Sequence, residues 1–144
     1  ILESYLDRVD KENLLDKMPR TREGAFTGSA LCGSCHSDAL KAWQDSRHSH
    51  ALKTLEDEGH ERDPDCVGCH VVGLDFVAGF TSRFKTPHLA DVGCESCHGP
   101  GAKHAAAPYS IKMGKVGEKS CTPCHVAEHS PSFDFAEYWK MIEH

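Results

Sequence analysis

The sequence has no long apolar run. No stretch approaches the roughly 20 consecutive apolar residues that a membrane-spanning helix needs, so no transmembrane segment is expected. Basic residues are in the minority, with 16 Lys and Arg against 22 Asp and Glu, for a formal net charge of -6. This balance disfavours nucleic acid as a partner and favours proteins that present a basic docking face.

Apolar and aromatic residues are also scarce. Only 39% of the 144 residues are hydrophobic and 8% are aromatic, and the mean hydropathy is -0.48. The length predicts one domain. A polar chain of this length builds only a modest core from its own side chains.

No cysteine stands alone, because all eight lie in C-x-x-C pairs and each pair is followed directly by histidine. The four pentapeptides run from Cys32 to His36, Cys66 to His70, Cys94 to His98 and Cys121 to His125. C-x-x-C-H is the attachment sequence of a c-type haem, whose vinyl groups form thioethers with the two cysteines while the histidine binds the iron. Zinc sites, redox dithiols and disulfides use C-x-x-C pairs too, but they have no use for the fifth residue.

The motifs therefore predict four haem c groups, with iron in each. The attachment residues are Cys32, Cys35, Cys66, Cys69, Cys94, Cys97, Cys121 and Cys124, and the proximal ligands are His36, His70, His98 and His125. Shared among 144 residues, four haems are expected to form much of the core. We expect a mostly α, loop-rich fold with little or no β-sheet, built around them.

The chain is expected to have two parts. Residues 1–29 read as an N-terminal helix and linker, either a docking segment or the tail of a preceding domain, and residues 30–144 as the tetrahaem domain. The segment 71–85 predicts a short hairpin or an extended excursion, and a final helix is expected over about 133–143. The chain starts with Ile1 and shows no signal peptide. Since c-type haem is attached outside the cytoplasmic membrane, we expect a processed product or a fragment of a prokaryotic periplasmic or extracellular protein.

Seven further histidines can supply distal ligands: His48, His50, His60, His88, His104, His129 and His144. With only three methionines in the chain, this surplus favours bis-His ligation, which lowers reduction potentials relative to His/Met haems. His50 lies two residues from His48, so on a helix the two point to different faces. Ligation of a neighbouring molecule's haem by His50 is one route to self-assembly into an oligomer or filament.

The runs from Lys41 to Ala51, Asp65 to Gly73 and Val92 to Gly101 resemble the cytochrome c-554 family of tetrahaem electron carriers. The resemblance covers about residues 30–144 and implies closely packed haems. It also implies three distal ligands: His104 opposite His36, His48 opposite His98, and His144 opposite His125.

The family's type member leaves its second haem without a distal protein ligand. In this chain His88 is a spare candidate, and Pro87 stiffens its approach. We predict that His88 closes the second haem opposite His70, so that the protein transfers electrons and is not an enzyme. Two alternatives stay open: a redox enzyme acting on small nitrogen oxides at an open second haem, or a subunit of a polymeric haem wire or the cytochrome domain of a larger protein.

Overall fold

A computed structural model describes residues 2–144, with side chains described from residue 4 onward. Its α-helices are short: α1 Leu2–Glu12, α2 Ser29–Gly33, α3 Ser37–Gln44, α4 Ala51–Glu58, α5 Pro64–Val67, α6 Cys94–His98, α7 Ala102–Ala106, α8 Glu118–Cys121 and α9 Phe135–Trp139. Three 3-10 turns lie at Leu15–Lys17, Arg47–His50 and Pro87–Leu89. The predicted helix at the N-terminus is found, although Ile1 lies outside the described residues. None of the helices in this part of the chain is long and apolar enough to cross a membrane.

The prediction of a mostly α, loop-rich fold is confirmed. Within residues 2–144, extended pairing is limited to two isolated bridges, one between Arg22 and Phe76 and one between Val71 and Ala90. The segment 71–85 is therefore irregular and does not form the hairpin that was one of its two predicted forms. A few backbone hydrogen bonds fix its path, such as Val72 N–H to Leu89 O at 2.9 Å and Phe80 N–H to Val72 O at 3.0 Å.

The final helix is shorter than predicted, because its cap lies later in the sequence. Asp134 accepts a hydrogen bond from the Glu137 amide at 3.0 Å, which fixes the first turn of α9 at Phe135. Such a side-chain cap satisfies an amide that has no partner inside the helix. The chain beyond Trp139 continues as turns to His144.

The apolar core comes from the first two thirds of the chain. Its buried members are Leu15, Leu52, Val67, Val71, Val72, Leu74, Phe80, Leu89 and Ala90. Among the described residues, no hydrophobic side chain after Ala90 is buried. The third and fourth motifs thus lie in a region without an apolar core of side chains.

The N-terminal segment packs onto the rest of the chain. Val9 and Leu15 are 2% and 4% exposed, and Leu15 belongs to the core cluster. Tyr5 donates a hydrogen bond to Asp63 at 2.9 Å, next to the second motif. Arg20 donates to the carbonyls of Phe76 and Phe80 at 3.2 and 2.6 Å. The division into 1–29 and 30–144 stays a prediction, but α1 and the linker clearly lie against the motif-bearing region.

Candidate haem sites

Each C-x-x-C-H motif forms a tight helical turn. The His36 amide donates to Cys32 O at 2.9 Å, and the His125 amide to Cys121 O at 2.9 Å. In the second motif the Cys69 amide donates to Cys66 O at 3.2 Å, and the third motif is α6 itself. Residues three and four apart share a face of such a turn, so both cysteines and the histidine can reach one ligand.

Six histidine rings meet in three pairs. His36 lies 6.2 Å from His104, His48 lies 6.1 Å from His125, and His98 lies 6.1 Å from His144, measured between ring centres. Two imidazoles that bind one metal ion from opposite sides, with metal–nitrogen bonds of about 2 Å, have ring centres about 6 Å apart. The three spacings therefore match one iron between the two rings of each pair.

Two of the ring pairs differ from the pairings that the resemblance implied, which stay predictions. The resemblance implied His48 opposite His98 and His144 opposite His125, whereas His48 faces His125 and His144 faces His98. The backbone of His48 is held near the third motif, because Val92 N–H donates to His48 O at 3.1 Å and Trp43 donates to Val92 O at 2.7 Å. Its ring nevertheless reaches across to the fourth motif. His104 does lie opposite His36; ligation by each of these rings stays a prediction.

Hydrogen bonds at Nδ1 fix the orientation of four of these rings and of His70. His70 donates to Ala51 O at 2.6 Å, His98 to Gly114 O at 3.2 Å, His104 to Ile111 O at 2.5 Å and His144 to Ile142 O at 2.9 Å. His125 Nδ1 bonds the Ser130 hydroxyl at 3.0 Å. Each bond leaves Nε2 as the nitrogen available for a metal, and such partners are a regular feature of metal-binding histidines.

Burial favours the neutral form of the pair made by His48 and His125. It lowers the pKa of His48, and the nearby His125 lowers it further. Burial also lowers the pKa of His125. Since only a neutral imidazole offers a lone pair to a metal, both rings are prepared for ligation.

His88 packs beside Gly28, just before α2. Its ring is exposed and its Cβ packs against Gly28, where an added Cβ would come within 2.9 Å. It lines a cavity of about 240 Å³ together with Leu40 and Trp43. The neighbouring Leu89 is 1% exposed and occupies the buried side of the 3-10 turn, which directs His88 away from the core. No histidine ring among the described residues pairs with His70, so this geometry does not support His88 as its partner, and closure of the second haem by His88 stays a prediction.

Contacts between cysteines give the order of the motifs in space. The Cys32 and Cys94 thiols lie close together, and their interaction raises the pKa of Cys32 and lowers that of Cys94 to about 6. Burial and the neighbouring Cys69 thiol raise the pKa of Cys124 to about 12. Cys97 also acts electrostatically on Cys124. The first motif therefore adjoins the third, the third adjoins the fourth, and the fourth adjoins the second.

The donor set fits covalent haem. A cavity of about 540 Å³ is lined by one cysteine from each of the second, third and fourth motifs, namely Cys69, Cys97 and Cys124. This volume lies within the range of cofactor pockets. Paired thiols on helical turns, with imidazoles that present Nε2 across gaps of about 6 Å, are the groups that c-type haem needs.

The buried carboxylate of Glu95 was not identified from the sequence as a candidate functional group. Glu95, the first residue inside the third C-x-x-C, is 4% exposed and accepts several backbone hydrogen bonds. The sequence does single it out, because the residues at the same position of the other three motifs, Gly33, Val67 and Thr122, are uncharged. What the sequence does not reveal is that the carboxylate turns inward.

Comparisons with known proteins agree with this geometry. Residues 31–99 match the family model described as cytochrome c554 and c-prime. Cytochrome c-554 from Nitrosomonas europaea is 36% identical over 113 residues, which cover 68% of this chain and 47% of that protein. The chain thus spans about half the length of this curated relative. A solved structure of reduced cytochrome c554 from Nitrosomonas europaea superposes with a TM-score of 0.65 at 26% identity, covering 83% of each chain.

Proposed function

The chain belongs to the cytochrome c554 family, and on that premise we propose that it carries electrons through four covalently bound haems. The family supports haem-based electron transfer by c-type haem; the count of four and the ligands are our proposal. The observation that carries it is the set of three imidazole pairs at 6.1 to 6.2 Å, each joining a motif histidine to a ring from elsewhere in the chain.

Bound haem supplies one-electron exchange between ferric and ferrous iron. The protein's part is to hold the ligands still. Hydrogen bonds from Nδ1 of His98, His104 and His144 to backbone carbonyls keep these rings from turning. At the three paired sites, two histidines would hold the iron in both oxidation states, so that little rearrangement would be needed when an electron arrives or leaves.

The contacts between cysteines support a linear route for the electrons. Cys32 with Cys94 links the first motif to the third. Cys97 with Cys121 links the third to the fourth, and Cys124 with Cys69 links the fourth to the second. We propose electron flow along the order first, third, fourth, second, with the first and second sites as the two ends.

The haem content and ligation test this proposal directly. Mass spectrometry of the purified holoprotein is expected to give four haems per chain, and electron paramagnetic resonance of the oxidised protein is expected to give three low-spin bis-histidine signals. His104→Ala is expected to convert the first site to a high-spin signal. His129→Ala, which removes an exposed histidine outside the three pairs, is the matched control and is expected to leave all signals unchanged. Fewer than four haems would contradict the count.

The second site supports a further candidate function, binding of a small nitrogen oxide. Among the described residues, His70 is held by Ala51 O at 2.6 Å and has no histidine ring across from it. We propose that this site remains open to an exogenous ligand. A high-spin ferric signal from one quarter of the haem, lost on addition of nitric oxide, is the expected result. Turnover of the nitrogen oxide would show the enzyme alternative, whereas binding without turnover would show an electron carrier. A fully low-spin spectrum would exclude the open site.

We also propose a periplasmic or extracellular location and a redox partner with a basic docking face. The formal net charge of -6 supports such a partner, because opposite charge speeds encounter. Electron transfer to a basic partner is then expected to slow as salt is raised. Self-assembly remains the alternative, with the exposed His50 as its candidate ligand. A mass by light scattering that grows with protein concentration, and does not grow in His50→Ala, would support it.

A further inference from the structure

Glu95 holds a carboxylate in a cradle of backbone amides. Its Oε1 accepts from Gly101 N–H at 2.7 Å and Thr27 N–H at 3.0 Å. Its Oε2 accepts from Gly28 N–H at 2.8 Å and also shares the Thr27 amide at 3.1 Å. An ionised carboxylate acts only as an acceptor, so a cradle made solely of donors suits the charged form.

No cation accompanies this charge. Within the described part of the chain, Glu95 makes no ion pair with Lys, Arg or His, although other carboxylates of the protein do. A buried charge is costly unless polar groups surround it, and here the amide dipoles fill that role. Since Glu95 is 4% exposed, little water screens it, and its field reaches further than that of a surface carboxylate.

The carboxylate lies at the junction of the first and third motifs. Gly28, whose amide it binds, immediately precedes α2, the helix that carries Cys32. Glu95 itself is part of α6, which begins at Cys94. The junction is tied again by Ser29, whose hydroxyl accepts from the Cys94 amide at 3.1 Å. The charge is thus fixed beside both attachment points.

We propose that the fixed negative charge of Glu95 lowers the reduction potentials of the haems at the first and third motifs. The inference rests on the proposed function, because it requires haem at both motifs. Ferric haem carries one more positive charge than ferrous haem, so a fixed negative charge nearby stabilises the oxidised form. Nearby charge and burial are among the means by which proteins tune haem potentials.

Glu95→Gln in the holoprotein tests the effect of the charge. Removing the charge is expected to shift the equilibrium between oxidised and reduced haem at the first and third sites on the order of tenfold, because little solvent screens a buried charge near the iron. That corresponds to a rise of about 59 mV for one electron. The measurement is a spectroelectrochemical titration with the potentials assigned to individual haems by nuclear magnetic resonance.

Two variants separate charge from structure. Glu95→Asp shortens the side chain but keeps the charge, so it is expected to disturb the cradle while leaving most of the low potential in place. Glu118→Gln removes an exposed carboxylate three residues before Cys121, and is expected to leave the first and third potentials unchanged. Equal shifts in Glu95→Gln and Glu95→Asp would mean a purely structural role and would overturn the proposal.

The wild-type protein supplies a measurement that needs no variant. Raising the ionic strength from about 0.01 to 1 M shortens the screening length from about 30 to 3 Å. A buried charge is expected to keep its effect, so the first and third potentials should stay low. Their rise with salt to the level expected for Glu95→Gln would assign the effect to surface charge and contradict the proposal.

Haem count and spin state distinguish the two levels of failure. Wild type with fewer than four haems would remove the proposed function itself. Four haems with unchanged low-spin signals in Glu95→Gln, but no change in potential, would remove only the role of Glu95.

Discussion

The part of the chain up to Ala90 and the part after it are built differently. The first contains every buried hydrophobic side chain that the structure describes, including Leu52, Val67 and Leu89 at 2% exposure or less. The second carries two of the four motifs and has no buried hydrophobic side chain among the described residues, and Tyr109 and Met141 are 93% and 66% exposed there. The first part can hold itself together by packing side chains. On the proposed haem content, we expect the second part to depend on its haems for this, which accounts for the scarcity of buried hydrophobic side chains there.

Preventing haem attachment at the fourth motif is expected to produce the largest difference in stability between the two parts. Cys121→Ser with Cys124→Ser is expected to abolish amide hydrogen-exchange protection across α8 and α9, because little apolar side-chain burial remains there. Protection at Leu52 and Leu89 is expected to persist. Hydrogen exchange with mass spectrometry gives both readings from one sample. Retained protection in α9 would show that this part folds without its haem.

Truncation of a core side chain is expected to cause the next largest loss of stability. Leu52→Ala is expected to lower the free energy of unfolding by about 2 to 5 kcal/mol, because it leaves a cavity in a packed core. Met141→Ala, at an exposed position, is expected to change it by less than about 0.5 kcal/mol. Denaturant titration of the two holoproteins measures both. A loss at Met141 as large as that at Leu52 would mean that the later part has an apolar core of its own once haem is bound.

Removal of the helix cap of α9 is expected to cause the smallest of the three losses of stability. Asp134→Ala removes the acceptor for the Glu137 amide and is expected to cost about 1 kcal/mol. Because α9 leads to His144, the variant is also expected to weaken ligation at the third site, seen as a partial high-spin signal at elevated temperature. Glu137→Gln keeps the cap and removes only the exposed pair with Lys140, so it serves as the control.

The sequence predicted the chemistry well and the geometry in part. Four C-x-x-C-H motifs led to the family and to a helical, loop-rich fold, because motif spacing and composition are local properties. The structure places His144 opposite His98 and His48 opposite His125, whereas the resemblance implied the reverse, because sequence similarity does not show which rings face each other. His88 was assigned to the second site as a spare histidine whose approach Pro87 stiffens. The burial of Leu89, which directs His88 the other way, depends on tertiary packing.

The three histidine pairs also set the order in which distant parts of the chain can come together during synthesis. A chain that emerges from its N-terminus exposes the first three motifs, which end at His98, before any of the three pairs can form. The earliest pair waits for His104, the next for His125 and the third for His144. On the proposed haem content, we expect attachment at the first three motifs to take place on an open chain, with the later histidines closing the fold over the haems afterwards.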